Sequence, residues 1–73
     1  MPPFFFIISN SKFLRVDLDK IVCVVKTSDG VQVHTNNAIY EPVVTMDELK
    51  SVLPEDLFTY VNPKLVVAKA IGE

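Results

Sequence analysis

Residue types that carry catalysis or bind metals are scarce in this chain of 73 residues. It contains one cysteine, one histidine and two glycines, and it has no tryptophan. A zinc site needs several soft ligands, and an activated nucleophile needs a base beside it. Two glycines are also too few for a loop that cradles phosphate groups. The sequence therefore predicts that the protein is not an enzyme and uses no metal or cofactor.

The cysteine and the histidine also lie in ordinary structural settings. Cys23 falls in the apolar run 21–25, where it is predicted to be a buried apolar side chain. His34 falls on the polar side of an alternating segment and is predicted to face solvent. A lone cysteine cannot form an internal disulfide, which is typical of proteins from a reducing compartment. We therefore expect a cytoplasmic protein.

An excess of basic residues is missing as well. Seven Lys and Arg residues stand against nine Asp and Glu residues, and the net charge is −2. Strong nucleic-acid binders usually carry a basic excess, because neutralising phosphates supplies much of their affinity. The overall charge therefore argues against DNA binding, although a local basic patch remains compatible with it.

No apolar run near the N-terminus is long enough for a membrane segment. The run 4–8 spans five residues and lacks the basic stretch that precedes the apolar part of a signal peptide. A membrane helix would need about 20 apolar residues. We expect a single domain, 1–73, with no membrane partner. A domain this small has little room for a buried pocket, so no small-molecule substrate is expected either.

Short alternating or β-branched segments, separated by turn residues, make up most of the sequence. They predict seven strands, at 4–9, 13–18, 21–25, 31–35, 39–44, 57–62 and 65–68. The run 21–25 is apolar on both faces, which predicts a central strand covered on each side. Pro42 cannot donate to a neighbouring strand, so its strand should lie at a sheet edge or contain a bulge.

One short helix interrupts the strands. Thr45 and Glu48 have the spacing of a capping box, and Pro54 marks where the helix must stop. The apolar residues Met46, Leu49 and Leu53 share one helical face, which should dock on the sheet. The predicted fold is therefore mostly β, with packed antiparallel sheets and one helix at about 45–53, in the order β-β-β-β-β-α-β-β.

The stretch from Lys12 to Val67 resembles the LytTR family of bacterial DNA-binding domains, usually the output domain of response regulators. The features that carry the resemblance are the segment 16–21, the turn at Gly30, the strand ending at 33–35, the segment 40–44, the capped helix 45–54, and Phe58, Asn62, Leu65 and Val66. The resemblance implies a LytTR-like arrangement of antiparallel sheets, and it makes double-stranded DNA the expected partner.

The last part of the family pattern is altered. Thr59, Val61, Pro63 and Lys64 stand where the family has arginine, histidine, serine and an aromatic residue, and Val67 replaces an asparagine. The family domain also continues with a last hairpin, so the chain is interpreted as one LytTR-like domain without it. The sheet edge left open would favour pairing with a second chain, and we expect a homo-oligomer.

The resemblance predicts a DNA-binding module in transcriptional regulation. Lysine can contact phosphate or guanine, and asparagine can read adenine. The candidate DNA contacts are Lys26, Thr27, Ser28, Asn62, Lys64 and Lys69. The alternative is a module of the same fold that has lost DNA binding and acts as a structural or protein–protein interaction domain, which the acidic net charge favours.

Overall fold

A computed structural model describes residues 4–69. It contains β1 (Phe4–Ser9), β2 (Lys12–Asp17), a 3-10 turn (Leu18–Lys20), β3 (Ile21–Thr27), β4 (Gly30–Thr35), β5 (Ile39–Tyr40), α1 (Met46–Val52), β6 (Phe58–Asn62) and β7 (Leu65–Ala68). The predicted order of strands and helix is confirmed, and so is the mostly β fold class.

The strands form two antiparallel sheets. β1 and β2 make a two-stranded hairpin, and the other five strands make a sheet in the order β5-β4-β3-β7-β6. β3 lies at its centre, as its apolar sequence predicted. Val24, Val33 and Val66 lie opposite one another on adjacent strands, and none of their surface is exposed. The hairpin and α1 contribute residues to the same core on this face of the sheet.

The other side, called the outer face here, is covered less than the sequence predicted. Cys23, Val25 and Val67 lie on it and are half-buried. Strand residues alternate between the two faces, and the hairpin and helix pack against one of them. The prediction that β3 is covered on both sides therefore holds for the core face, whereas the outer face is partly open.

The helix begins and ends as its sequence predicts. The Thr45 hydroxyl accepts from the Glu48 amide at 3.1 Å, and the Glu48 carboxylate accepts from the Thr45 amide at 3.2 Å, so both halves of the capping box are present. Met46 and Leu49 are buried on the core face. At the other end, the Tyr60 hydroxyl lies 2.9 Å from the carbonyl oxygen of Lys50 and 2.6 Å from that of Leu53. Tyr60 therefore ties the helix C-terminus to β6.

The strand predicted at 39–44 is much shorter in the structure. β5 ends at Tyr40, although it does lie at the sheet edge that Pro42 predicted. Pro42 has no amide to continue the pairing and is buried in the segment that follows. The next amide, that of Val43, donates to the Ile8 carbonyl oxygen at 2.9 Å. The segment thereby links β5 to the hairpin instead of extending the sheet.

Candidate nucleic-acid interface

Two hairpin turns lie side by side at one end of the five-stranded sheet. The turn between β3 and β4 is formed by Ser28 and Asp29, and the turn between β6 and β7 by Pro63 and Lys64. β3 and β7 are neighbours in the sheet, and the Lys26 amide donates to the Lys64 carbonyl oxygen at 2.9 Å. This hydrogen bond joins the two turns into one surface.

Five of the six predicted DNA contacts lie on this surface. We call it the turn cluster, and its members are Lys26, Thr27, Ser28, Asn62 and Lys64. Lys69 lies at the opposite end of β7, where its amide donates to the Leu57 carbonyl oxygen at 3.0 Å. The four residues of β7 separate the two ends by about 13 Å. Lys69 is therefore not part of the turn cluster.

The β3–β4 turn holds its polar side chains on both sides of the sheet end. Gly30 closes it with a φ of 152°, a backbone conformation that residues with a Cβ rarely adopt. Lys26 is exposed and alternates to the same side as Val24, whereas Thr27 alternates to the outer face and is half-buried. Ser28 is exposed at the tip. The turn can thus offer donors on both sides of the sheet end.

Asn62 has a structural role in the second turn. Its Oδ1 accepts from the Lys64 amide at 2.8 Å, which is the Asx turn expected of an asparagine before proline. Bidentate reading of adenine needs both the oxygen and the amide nitrogen of the side chain. The Lys64 amide uses one of the two lone pairs of this oxygen, so both groups can still meet a ligand, and the Nδ2 donor also suits a phosphate oxygen.

Carboxylates limit the positive charge of this region. Asp29 lies in the first turn, between β3 and β4. It also lines an open hollow of about 490 Å³ together with Glu41 and Glu48. The basic part of the surface is therefore narrow, with Lys26 and Lys64 as its cations. A polyanion would have to approach along these two lysines and avoid the hollow.

Cys23 and His34 lie opposite each other on β3 and β4 but form no reactive pair. Both are half-buried on the outer face, so the cysteine is less buried and the histidine less exposed than predicted. Burial raises the pKa of the Cys23 thiol, which disfavours the nucleophilic thiolate. The His34 Nε2 lies 3.2 Å from the Gln32 Oε1. Within residues 4–69, no three His, Cys, Asp or Glu side chains group into a metal site.

The described part of the chain also contains no helix that is long and apolar enough to cross a membrane.

Comparison with known proteins separates fold from sequence. No family model matches the chain, and no curated protein matches it significantly. Among solved structures, it is similar to the LytTr DNA-binding domain of a methyl-accepting/DNA response regulator from Bacillus cereus. The TM-score is 0.75 and the identity is 13%, over 93% of this chain and 62% of that one. The chain has the LytTR fold.

The LytTR resemblance drawn from the sequence is therefore confirmed for the fold, and the chain spans less than two thirds of the Bacillus cereus domain. Within this LytTR fold, the sequence named the residues of the turn cluster as candidates and did not predict that they lie together. The Lys26–Lys64 backbone hydrogen bond depends on β3 pairing with β7, whose paired residues are 40 to 44 positions apart, and no local pattern predicts it. The Asx turn at Asn62 was readable from the Asn-Pro pair.

Proposed function

We propose that the chain is a LytTR-like DNA-binding module of transcriptional regulation, working in the cytoplasm as a binding protein and not as a catalyst. The observation that carries the proposal is the hydrogen bond between the Lys26 amide and the Lys64 carbonyl oxygen, which brings two turns with exposed lysines together. The similar LytTr domain is described as DNA-binding, which supports the same use of this fold.

The turn cluster has the chemistry for contacts to a DNA backbone. Lys26 and Lys64 supply charge, and the hydroxyls of Thr27 and Ser28 and the Asn62 Nδ2 supply hydrogen-bond donors. The major groove is about 12 Å wide and admits a β-ribbon, so paired hairpin turns fit it. Lys69 would meet phosphate separately, if the duplex extends along β7. With two or three cations, binding should be weak, and log K should fall with log salt with a slope of only about −2 to −3.

Titration of fluorescent duplex DNA at several salt concentrations tests the proposal. For each phosphate neutralised, log K should fall with log salt with a slope of about −0.9. The variants Lys26→Ala and Lys64→Ala should each lower the magnitude of that slope by about 0.9. Lys12→Ala, on the hairpin, is the matched control and should leave the slope unchanged. No binding to long duplex DNA at about 50 mM salt and tens of micromolar protein would reject the proposal.

The second candidate is a structural or protein–protein interaction module. Two observations favour it: the carboxylates of Asp29, Glu41 and Glu48 line the hollow beside the β3–β4 turn, and large apolar side chains are exposed on the β1–β2 hairpin. A chain that keeps its fold and binds no duplex DNA, yet associates through the hairpin, would support this function over the first.

We also propose that the functional unit is a homo-oligomer. The sequence-based expectation puts its contact at an open sheet edge, and the edge strands of the five-stranded sheet are β5 and β6. Light scattering after size-exclusion chromatography measures the mass directly. A constant mass of 8.2 kDa at all protein concentrations would reject the oligomer.

A further inference from the structure

The outward side of the β1–β2 hairpin is an exposed apolar surface. Alternation along β1 turns Phe4, Phe6 and Ile8 outward, and the register of the hairpin sets Phe6 opposite Arg15 and Ile8 opposite Phe13. The four apolar side chains are exposed by 40% at Phe4, 59% at Phe6, 45% at Ile8 and 77% at Phe13. We call these four residues with Arg15 the hairpin face.

The hairpin face is large for a chain of this size. Phe side chains present up to about 200 Å² each, so the four exposed fractions together amount to on the order of 400 Å² of apolar surface. Contiguous patches of roughly 300–600 Å² are the largest that typical monomers expose, and they are often functional. Scattered exposed hydrophobic residues need no explanation, but a contiguous face of three aromatic rings does.

Contacts within the face order its side chains. The rings of Phe4 and Phe6 pack edge to face, with centroids 5.7 Å apart at 84°. The Arg15 guanidinium carbon lies 4.2 Å from the Phe4 ring centroid, and its Nε donates to the Asp17 Oδ1 at 3.0 Å. Phe4, Phe6 and Arg15 therefore have less side-chain freedom to lose on binding. Because Asp17 balances Arg15, the face is also nearly neutral.

The apolar character and near-neutral charge of the hairpin face indicate what kind of partner binds it. An anionic membrane or a nucleic acid would require uncompensated cations, and Lys12 at the hairpin turn is the nearest one in sequence. An apolar and nearly neutral sheet face can pack on a copy of itself, as in the face-to-face packing of one sheet on another about 10 Å away. We propose that the hairpin face is the docking surface for a second copy of this chain.

The buried area and the available edges agree with this assignment. Two copies would bury on the order of 800–1,000 Å², which is below the roughly 1,200 Å² of stable specific interfaces and predicts a weak dimer. By contrast, β5 has two residues, and the register of β6 is irregular between Tyr60 and Asn62. Short and irregular edges oppose strand addition to the five-stranded sheet. The inference thus locates the homo-oligomer proposed above, and it rests on that part of the proposed function and not on the DNA contact.

Sedimentation equilibrium on the full chain without DNA tests the proposal. The mass of the wild type should rise from 8.2 kDa toward twice that value as concentration increases. The double variant Phe6→Thr with Phe13→Thr removes apolar area, keeps β propensity and leaves net charge unchanged, and it should raise the dissociation constant at least tenfold. Val61→Thr on edge strand β6 is the matched control, because Val61 is an apolar side chain that is 53% exposed, close to the 59% of Phe6. It should change the dissociation constant less than twofold.

Two further readouts keep the result interpretable. Circular dichroism of the double variant should match the wild type, since both replaced side chains point outward. Amide chemical shifts on dilution of the wild type should change in β1 and β2 and stay constant in β6. A wild type that remains at 8.2 kDa up to millimolar concentration, or a dimer that is lost with Val61→Thr and kept in the double variant, would overturn the proposal. Failure of DNA binding would leave these readouts untouched.

Discussion

The two sheets use their apolar residues in opposite ways. In the five-stranded sheet, Val24, Val33 and Val66 form a fully buried row at the centre. The β1–β2 hairpin buries Ile7 and Val16 but exposes three phenylalanines and Ile8 on its other side. Most of the core comes from the five-stranded sheet and α1, so this larger unit is the one that holds the fold together.

The difference separates stability from binding. A two-stranded hairpin is marginally stable by itself and depends on the unit that it packs against. A surface on the hairpin can therefore be apolar without being part of the core, whereas the polar turn cluster lies at the end of the central strand of the larger sheet. The chain thus has two separate candidate surfaces: a polar one at the end of the five-stranded sheet and an apolar one on the β1–β2 hairpin.

Replacing a phenylalanine by alanine in each region should give the largest contrast. Phe58 is 2% exposed and Phe13 is 77% exposed. We expect Phe58→Ala to cost about 3–5 kcal/mol in free energy of unfolding, since it leaves a cavity in the core. Phe13→Ala should stay within about 0.5 kcal/mol. Urea denaturation at low protein concentration, where dimers are absent, measures both.

A similar loss for both variants would mean that the hairpin is as much part of the cooperative core as the five-stranded sheet. If Phe58→Ala leaves too little folded protein for a denaturation curve, Leu53→Ala offers a second buried site, also in the core and 3% exposed.

The helix cap should show a smaller effect in the larger unit. Thr45→Ala removes the hydroxyl that accepts from the Glu48 amide, and we expect a loss of about 1 kcal/mol. For a domain of this size, this corresponds to a fall in Tm of roughly 4–8 °C. Ser51→Ala, in the same helix and exposed, is the control and should change Tm by less than half as much. Equal falls in Tm for Thr45→Ala and Ser51→Ala would contradict the stabilising role of the cap.

Much of the fold could be predicted because its signals are local. The capping box at Thr45, the turn glycine at Gly30 and the alternating strands each specify a local conformation, and the structure has them where the sequence predicts them. The predicted length of β5 was wrong because the Val43 amide bonds to the Ile8 carbonyl oxygen of the hairpin, a long-range contact that no local pattern predicts. The partial exposure of Cys23 could not be predicted either, since an apolar run does not show whether anything packs on its second face.

The candidate site was predictable in composition and not in geometry. Turn residues with lysines were visible as separate groups, but the pairing of β3 with β7 decides that Lys26 and Lys64 meet and that Lys69 does not. For the apolar hairpin face the sequence predicts only two strands, because alternation shows that the two faces of a strand differ and does not show which face meets the core. Long-range pairing supplied the information in both cases.

Tyr60 connects the helix to the sheet edge, and its effect should depend on pH. Its hydroxyl donates to the carbonyl oxygens at the helix C-terminus, so Tyr60→Phe should cost about 0.5–1.5 kcal/mol at neutral pH. Burial and, second, the Glu55 carboxylate raise the pKa of Tyr60 above its ordinary value near 10. A raised pKa means that this stabilisation is complete below pH 10 and is lost as the pH rises through the folded-state pKa.

Thermal unfolding of wild type and Tyr60→Phe between pH 8 and pH 11 would measure this dependence. The two proteins should converge in stability at the alkaline end, because the wild type loses there what the variant lacks throughout. Tyr40→Phe on β5 is the control for general alkaline destabilisation. Parallel curves for wild type and Tyr60→Phe would contradict the assigned hydrogen bonds.

The smallest expected effect is a gain, and it separates the two hairpin turns. Asn10 and Ser11, between β1 and β2, have φ values of 53° and 63° and are the non-glycine residues with positive φ in the described chain. This geometry is that of a type I′ turn, which favours glycine at its second position. Left-handed backbone costs a residue with a Cβ about 1–2 kcal/mol, and glycine loses part of that advantage through its freer unfolded state. Ser11→Gly should therefore stabilise the protein by about 0.5–1 kcal/mol.

The same change at Ser28, whose φ is not positive, should give no gain and leave the β3–β4 turn slightly weaker. Amide hydrogen exchange distinguishes a local from a global effect: slower exchange confined to β1 and β2 would mean that the hairpin opens independently of the five-stranded sheet, and slower exchange throughout would join the two sheets into one cooperative unit.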